Sequence, residues 1–406
     1  MLKTELLEII ANGENSGVEF KRDDIRPEQL AKEVVAMTNF QGGRILLGVE
    51  DDGTISGVQR HDLEEWVMNV FQGKIHPMML PFYEEVKLDD GKLVAVISFP
   101  IGISKPYVVR HSGKEEIYIR VGTTSRLATR EQQMRLFELG GMLHTEVMPV
   151  PRTDMSCLDD ARLTNYVKDI LRDPDVPKTP DEWQTRLLGL GFLTEAAGSV
   201  CCTIAGLVLF GKSPRRYLKQ AGLRVMVFHG EDKEYQAALD DIIDGPMVGR
   251  WDLENGDKRL IDGGVIERFM EAMSPFISQE SDQVNEELRR ETQWFYPLEA
   301  VREALVNALA HRDWTRFVEI EVSSYSDRLE VISPGSLPNS MTVEKMKAGQ
   351  RSPRNTIVME VLRDYGYVDY RGMGVRTKIM PLTKALTGKD PEFDLTDDHL
   401  KTILFR

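Results

Sequence analysis

The chain reads as an α+β protein of several domains, and three observations predict this. Its 406 residues exceed what a single hydrophobic core usually organises. Strand-like apolar runs and helix-period segments are interspersed along it. A stretch with two prolines and many polar residues, "HTEVMPVPRTDMS", interrupts that pattern near residue 150. We therefore expect an N-terminal α+β domain over 1–145, a mixed connecting region over 146–290, and a C-terminal α/β sandwich over 291–406. No internal repeat or low-complexity tract is evident.

Helix and strand signals alternate from the N-terminus onward. "MLKTELLEIIANGENSG" has the spacing of a short amphipathic helix that ends at Gly13. "RPEQLAKEVVAMTNF" carries Leu30, Val34, Val35 and Met37 at near-helical intervals, with Pro27 suited to the first turn. "GGRILLGVE" is a glycine turn into an apolar strand, "DDGTISGV" a hairpin turn led by Asp-Gly, and "KLVAVISFP" and "EEIYIRVG" further strands of a mainly antiparallel sheet. The middle region holds the helical "DDARLTNYVKDIL" and two apolar runs, "CCTIAGLVLFG" and "GLRVMVFHG", read as core strand or helix. The last region opens on a strong helix, "YPLEAVREALVNALAHRDW", with Val301, Leu305, Val306 and Leu309 apolar. Strands "FVEIEVSSYS" and "RLEVISPGSLP" come next, then helix "NTIVMEVLRDYGY", a glycine loop, another helix and an edge strand, "LKTILFR". That order predicts helices covering one face of a sheet.

Composition excludes some classes. With a formal charge of -14 the surface is no basic coat for non-specific duplex binding, although a local basic groove remains compatible with it. The three cysteines, Cys157, Cys201 and Cys202, form no CxxC pair and no zinc-ligand spacing, and their odd number suits a reducing compartment. The N-terminus lacks the apolar core of a signal peptide, and no run is long enough to span a membrane. A cytoplasmic protein without a membrane partner is expected.

Chemistry concentrates in two places. In "ENSGVEFK", Glu14 and Glu19 flank a turn and Lys21 stands at the start of the next element. Some thirty residues later "GVEDDG" brings Glu50, Asp51 and Asp52 to the end of a strand. Two readings stand: solvated turn acids, with Asp52 making a hairpin turn, or a site for a hard divalent cation that activates water at a phosphodiester, Lys21 steadying a phosphate. Arg120, Arg126 and Arg130 in "YIRVGTTSRLATR" are either phosphate contacts or exposed strand-end charges.

"ENSGVEFKRD", "VVAMTNFQGGRILLGVEDDGTISGV" and "IYIRVGTTSRLAT" together resemble the AlbA_2 domain, the prokaryotic relative of the Schlafen core, across most of residues 10–140. The resemblance implies a metal-dependent RNA-cleaving site of Glu14, Glu19 and Asp51, with Glu50 as an alternative third ligand and Mg²⁺ or Mn²⁺ as the metal. Other members of that family are described as DNA-binding or transcriptional regulators.

In the C-terminal region Glu303 and Asn307 stand at i and i+4, on one helical face. Such a pair suits Mg²⁺ and a water aimed at a terminal phosphate, or simply a polar surface. Gly335 and the glycines of "RGMG", Gly372 and Gly374, allow close backbone approach to a ligand. His311, at the end of the helix, suits either a phosphate or the helix dipole. Lys212, Arg215 and Arg216 form a small, solvated basic cluster. The order helix, Pro-Gly strand, glycine loop and helix over about residues 295–385 resembles the GHKL ATPase superfamily, in the divergent form found downstream of AlbA_2. The resemblance implies Glu303 as water-orienting base, Asn307 as Mg²⁺ ligand, Gly335 beneath the nucleotide, and Arg354, Asn355, Gly372 and Gly374 about its phosphates. The family's adenine-reading Asp is absent, replaced by "ISPGSLP", so ATP or another nucleotide fits and binding is favoured over turnover.

The expectation is thus a protein that grips or cuts RNA or DNA under control of a bound nucleotide, as a homo-oligomer. The alternative is an ATP-sensing DNA-binding regulator without enzymatic activity. The winged helix that often comes next in this family is missing before Arg406, which weighs somewhat against the regulator.

Overall fold

The computed structural model describes residues 1–111, 113–253, 258–284, 290–338, 341–350, 352–368, 373–396 and 398–406. It divides into two compact units, Met1–Leu143 and His144–Arg406, where the sequence led us to expect three.

The first unit is built on a four-stranded sheet in the order Val18–Lys21, Gly42–Leu47, Leu93–Pro100, Phe82–Lys87. The first two strands are parallel, with Glu19 opposite Ile45 and Lys21 opposite Leu47; the other pairs are antiparallel. Both faces are covered. Ile45, Leu47, Ala95 and Ile97 pack with the helices Pro27–Phe40 and Leu63–Lys74, while Leu46, Val94 and Val96 meet Leu6 of the helix Lys3–Asn12. This double burial is why "GGRILL" shows no polar alternation. Gly13 ends the first helix with φ 75°, as its composition predicts. Pro27 occupies the first turn of the second helix, where its missing N–H is harmless. A ribbon of Tyr118–Val121 and Thr124–Leu127 lies against that helix. Asn39 fixes the approach: its side chain accepts from Tyr107 N (2.8 Å) and donates to the carbonyls of Tyr107 and Tyr118 (both 2.9 Å).

The second unit holds a six-stranded sheet in the order Leu239–Ile243, Leu223–Val227, Ile320–Ser324, Arg328–Pro334, His399–Phe405, Glu392–Leu395. The connecting region therefore supplies two strands, and Leu223–Val227 runs parallel to Ile320–Ser324. One continuous core joins Phe210, Val225, Phe269, Leu305, Val322 and Leu404, which is why no boundary falls at residue 290. His399–Phe405 is an interior strand rather than the expected edge, because the short, polar Glu392–Leu395 pairs outside it. The proline-rich stretch is likewise no free linker. Glu146 is buried and accepts from Thr356 Oγ1 (2.9 Å), Ile357 N (3.0 Å) and Val358 N (3.1 Å) at the start of the helix Thr356–Asp364. A carboxylate there satisfies donors the helix cannot and complements its dipole. Among the described residues no helix is long and apolar enough to cross a membrane.

Candidate functional site

In the first unit, the parallel pairing of Val18–Lys21 with Gly42–Leu47 brings the turn after Val49 beside Lys21. Three of the expected acids meet there, around the Lys21 ammonium. Its Nζ lies 2.6 Å from Glu19, 3.6 Å from Glu14 and 3.6 Å from Asp51, and donates to the Phe20 carbonyl at 2.7 Å. Burial pulls the Lys21 pKa down, but the Glu19 hydrogen bond and the charges of Glu19, Glu14 and Asp51 outweigh it, leaving the ammonium above its ordinary value. Glu14 also accepts from Phe20 N at 2.8 Å, which orients its carboxylate across the turn. Asp51 is 83% exposed, whereas Glu19 is buried.

Glu50 shares an open cleft with Lys21 and Asp51 but turns toward Arg22, 4.0 Å from its Nε. Asp52 is the turn residue its sequence suggests: it accepts from Thr54 N at 2.8 Å, and that bond holds its carboxyl below the usual range. The donor oxygens around Lys21 are the kind a hard divalent cation takes. Yet an ammonium sits among them, and among the described residues no group of three His, Cys, Asp or Glu side chains has metal-holding geometry.

Arg120, expected among the phosphate contacts, is fully buried. It donates to Glu19, to Glu33 at 3.1 Å, to Ser125 Oγ at 3.3 Å and to the Asn15 carbonyl at 3.0 Å. The Tyr118–Val121 ribbon, seated on the Pro27–Phe40 helix, delivers the guanidinium beneath the acid cluster, so its charge serves the fold and the orientation of Glu19. Arg126 and Arg130 are exposed. Glu33 and Ser125 escaped the sequence reading; Glu33 is masked by its place in an apolar helical run.

In the second unit a cavity of about 350 Å³ lies between the helix Leu298–His311, the sheet strands ending at Pro334 and Phe405, and the helix Thr356–Asp364. That volume is within the range of small-molecule sites. Glu303, Asn307, Gly335 and Gly374 all line it, beside apolar Val331, Met359 and Phe393. Gly372 lies outside the described residues. Glu303 is buried; Asn307 Nδ2 donates to its Oε1 at 3.3 Å, leaving the Asn307 oxygen for another partner, and Lys378 Nζ is 3.9 Å from its Oε2. Gly374 is required by contact, since a Cβ there would stand 1.7 Å from Glu303 Oε1. Gly335 is required by both contact and conformation: φ is +103°, and a Cβ would stand 2.2 Å from Arg354 Nη1.

Arg354 and Asn355 build the wall of the cavity and are not among its lining residues. Arg354 donates to the Ser336 carbonyl at 2.6 Å and lies 3.6 Å from Asp313. Asn355 donates to the carbonyls of Ala310 and Arg312 (both 2.9 Å), closing the end of the Glu303 helix. The GHKL resemblance implies both as phosphate ligands; in the structure both are buried and donate to backbone carbonyls. His311 lines the cavity, and burial, with Arg354 nearby, lowers its pKa to about 4. It is neutral at physiological pH, so it offers the helix dipole no charge. Lys378 went unread, although it lies one helical turn beyond Gly374 and so shares its neighbour.

Residues 14–129 match the family model "Schlafen, AlbA_2". Residues 318–404 match the model described as "Putative ATP-dependent DNA helicase recG C-terminal", a span that begins after the Glu303 helix. Among solved structures the chain is similar to the DIP2311 protein from Corynebacterium diphtheriae, at 21% identity and a TM-score of 0.45 over 99% of this chain and 79% of that one. It is also similar to the N-terminal domain of a "Putative ATP-dependent DNA Helicase RecG-related Protein" from Nitrosomonas europaea, at 21% identity and a TM-score of 0.25 over 31% of this chain and 92% of that one. No curated protein matches it. The chain thus joins a Schlafen/AlbA_2 domain at residues 14–129 to a RecG-like HATPase_c_4 domain at residues 318–404.

Proposed function

We propose that this chain binds nucleic acid through its first unit and a nucleotide, ATP foremost, in the cavity of its second, and that the first unit cleaves RNA in preference to DNA with Mg²⁺ or Mn²⁺. The observation that carries the reading is the convergence of Glu14, Glu19 and Asp51 within 3.6 Å of one cationic position. Three carboxylates around a single ammonium keep the cluster anionic and suited to exchange that ammonium for a divalent ion. Glu14 and Asp51 would hold the ion, which supplies an activated water when bound. Lys21, on release, reaches toward phosphate, with exposed Arg126 and Arg130 available to a nucleic-acid backbone. In the second unit Glu303 and Asn307 face the cavity from one helix, and we propose that nucleotide bound there governs activity and assembly into homo-oligomers.

A second reading has its own observation. Glu19 is satisfied twice, by Lys21 and by buried Arg120, as a purely structural carboxylate would be. It makes the chain a nucleotide-sensing DNA-binding regulator. The test incubates the full chain with tRNA, single-stranded RNA and duplex DNA, with Mg²⁺ or Mn²⁺, with and without ATP. Glu14→Gln and Asp51→Asn are the variants of choice, because Glu19 also anchors Arg120. Cleavage by wild type and its loss in both variants supports the nuclease. Intact substrates with equal duplex binding by all three proteins sink it in favour of the regulator.

A further inference from the structure

We propose that Lys378 is a phosphate-binding residue of the second unit's cavity, exchanging Glu303 for the terminal phosphates of a nucleoside triphosphate. The inference rests on the reading of that cavity as a nucleotide site. Nothing in the family matches or the sequence motifs singles this lysine out.

Three observations converge on it. First, Lys378 is not itself a lining residue but adjoins the cavity: Val375 and Ile379 of its own turn line it, and the Lys378 Nζ stands 3.9 Å from Oε2 of the lining carboxylate Glu303. At that separation the two attract as charges without a hydrogen bond that fixes the lysine's direction. Second, Lys378 lies on a π-helical turn, Val375–Ile379, that starts at Gly374 and continues into the helix Met380–Thr387. Single π turns are uncommon and gather at functional sites. This one begins beside Glu303, close enough that a Cβ added at Gly374 would stand 1.7 Å from the Glu303 carboxylate. The start of this helical segment, Gly374 and Val375, lines the same cavity as that carboxylate, and helix starts and ammonium groups both favour an anion. Third, the Lys378 side chain is 23% exposed, unlike Arg354, whose guanidinium is packed into the wall. A lysine on a four-carbon stem redirects its point charge at little cost, whereas a buried guanidinium fork does not.

Charge decides the direction of exchange. Glu303 offers the ammonium one negative charge and already accepts from Asn307. The terminal phosphates of a nucleoside triphosphate offer several, spread over more acceptor oxygens. Lys378 then discriminates by phosphate number and leaves base recognition to the rest of the cavity.

The test is calorimetric titration of the full chain, in Mg²⁺, with ATP, ADP and adenosine, using wild type, Lys378→Met and Lys378→Arg. Losing one charge-assisted contact predicts about a 10- to 100-fold weaker Kd for ATP in Lys378→Met. The loss should be smaller for ADP, adenosine should change by less than about twofold, and Lys378→Arg should recover most of the ATP affinity. Adenosine binding doubles as the control for folding of the cavity. Unchanged ATP affinity in Lys378→Met overturns the inference, and so does a parallel loss for ATP and adenosine, which would mark the lysine as structural. Wild type that binds none of the three ligands overturns the nucleotide reading itself, and the inference falls with it.

Discussion

Replacing Arg120 by Met should unfold the first unit far more readily while leaving no direct signature on a nucleic-acid surface. The guanidinium is fully buried and bridges Glu19 and Glu33, whose side chains are 6% and 11% exposed. Methionine fills similar volume but strips both carboxylates of their shared cation. Breaking a buried pair by removing one partner costs about 3–5 kcal/mol, because a desolvated charge is left behind. Here the lower end applies, since Glu19 keeps Lys21 at 2.6 Å and Glu33 keeps Ser125. Hydrogen exchange monitored by mass spectrometry separates this unit from the other. A loss of about 3 kcal/mol lowers protection of the Gly42–Leu47 and Leu93–Pro100 amides roughly a hundredfold. Adding Glu33→Gln to the variant should recover about 1 kcal/mol or more, because one orphaned charge disappears. The reasoning fails if Arg120→Met leaves exchange in these strands unchanged while nucleic-acid affinity drops, for then the arginine is a phosphate contact after all.

The second unit yields three further expectations. Since the His311 pKa falls to about 4 on folding, the unfolded chain takes up its proton first as pH drops through about 6.5; stability is complete above that value and is lost between 6.5 and 4, by at most about 3 kcal/mol. Urea midpoints across this window should slope less for His311→Gln than for wild type, and parallel curves would remove His311 from the account. Gly374→Ala should abolish or cut ATP binding more than tenfold, by driving a Cβ into the Glu303 carboxylate, and titration calorimetry would read it; wild-type affinity would show that the loop moves aside freely. Asn355→Leu should lower stability by about 2–3 kcal/mol in urea unfolding, through the orphaned carbonyls of Ala310 and Arg312, and a change below about 0.5 kcal/mol would refute that role.

Legible and hidden features of the sequence divide along a physical line. Local rules were legible: Gly13 closing a helix, Pro27 opening one, the apolar run of Gly42–Leu47, and the shared helical face of Glu303 and Asn307. The clustering of Glu14, Glu19 and Asp51 depends on strand pairing across some thirty residues, and motif resemblance reached it where periodicity could not. The surroundings of Arg120, Arg354 and Asn355 are hidden in the sequence for one reason: no local pattern shows that tertiary contacts bury these polar side chains against carboxylates or helix-end carbonyls. The joining of the connecting region to the C-terminal sheet is hidden similarly, because the pairing of Leu223–Val227 with Ile320–Ser324 links segments nearly a hundred residues apart and leaves no local trace.

That parallel pairing has a practical bearing on how the C-terminal half can be handled. A fragment cut to the 318–404 match would keep Ile320–Ser324 but strip away its outer neighbour, baring a row of backbone donors and acceptors along an apolar strand whose Ile320 and Val322 are wholly buried in the intact chain. Such an edge recruits other chains, so the fragment would self-associate, and any oligomer seen with it would report the scissors rather than the protein. The smallest piece that seals the sheet begins at about His144, ahead of the carboxylate of Glu146 that caps the Thr356–Asp364 helix. The module that sequence comparison delimits is, in folding terms, less than half of a cooperative body.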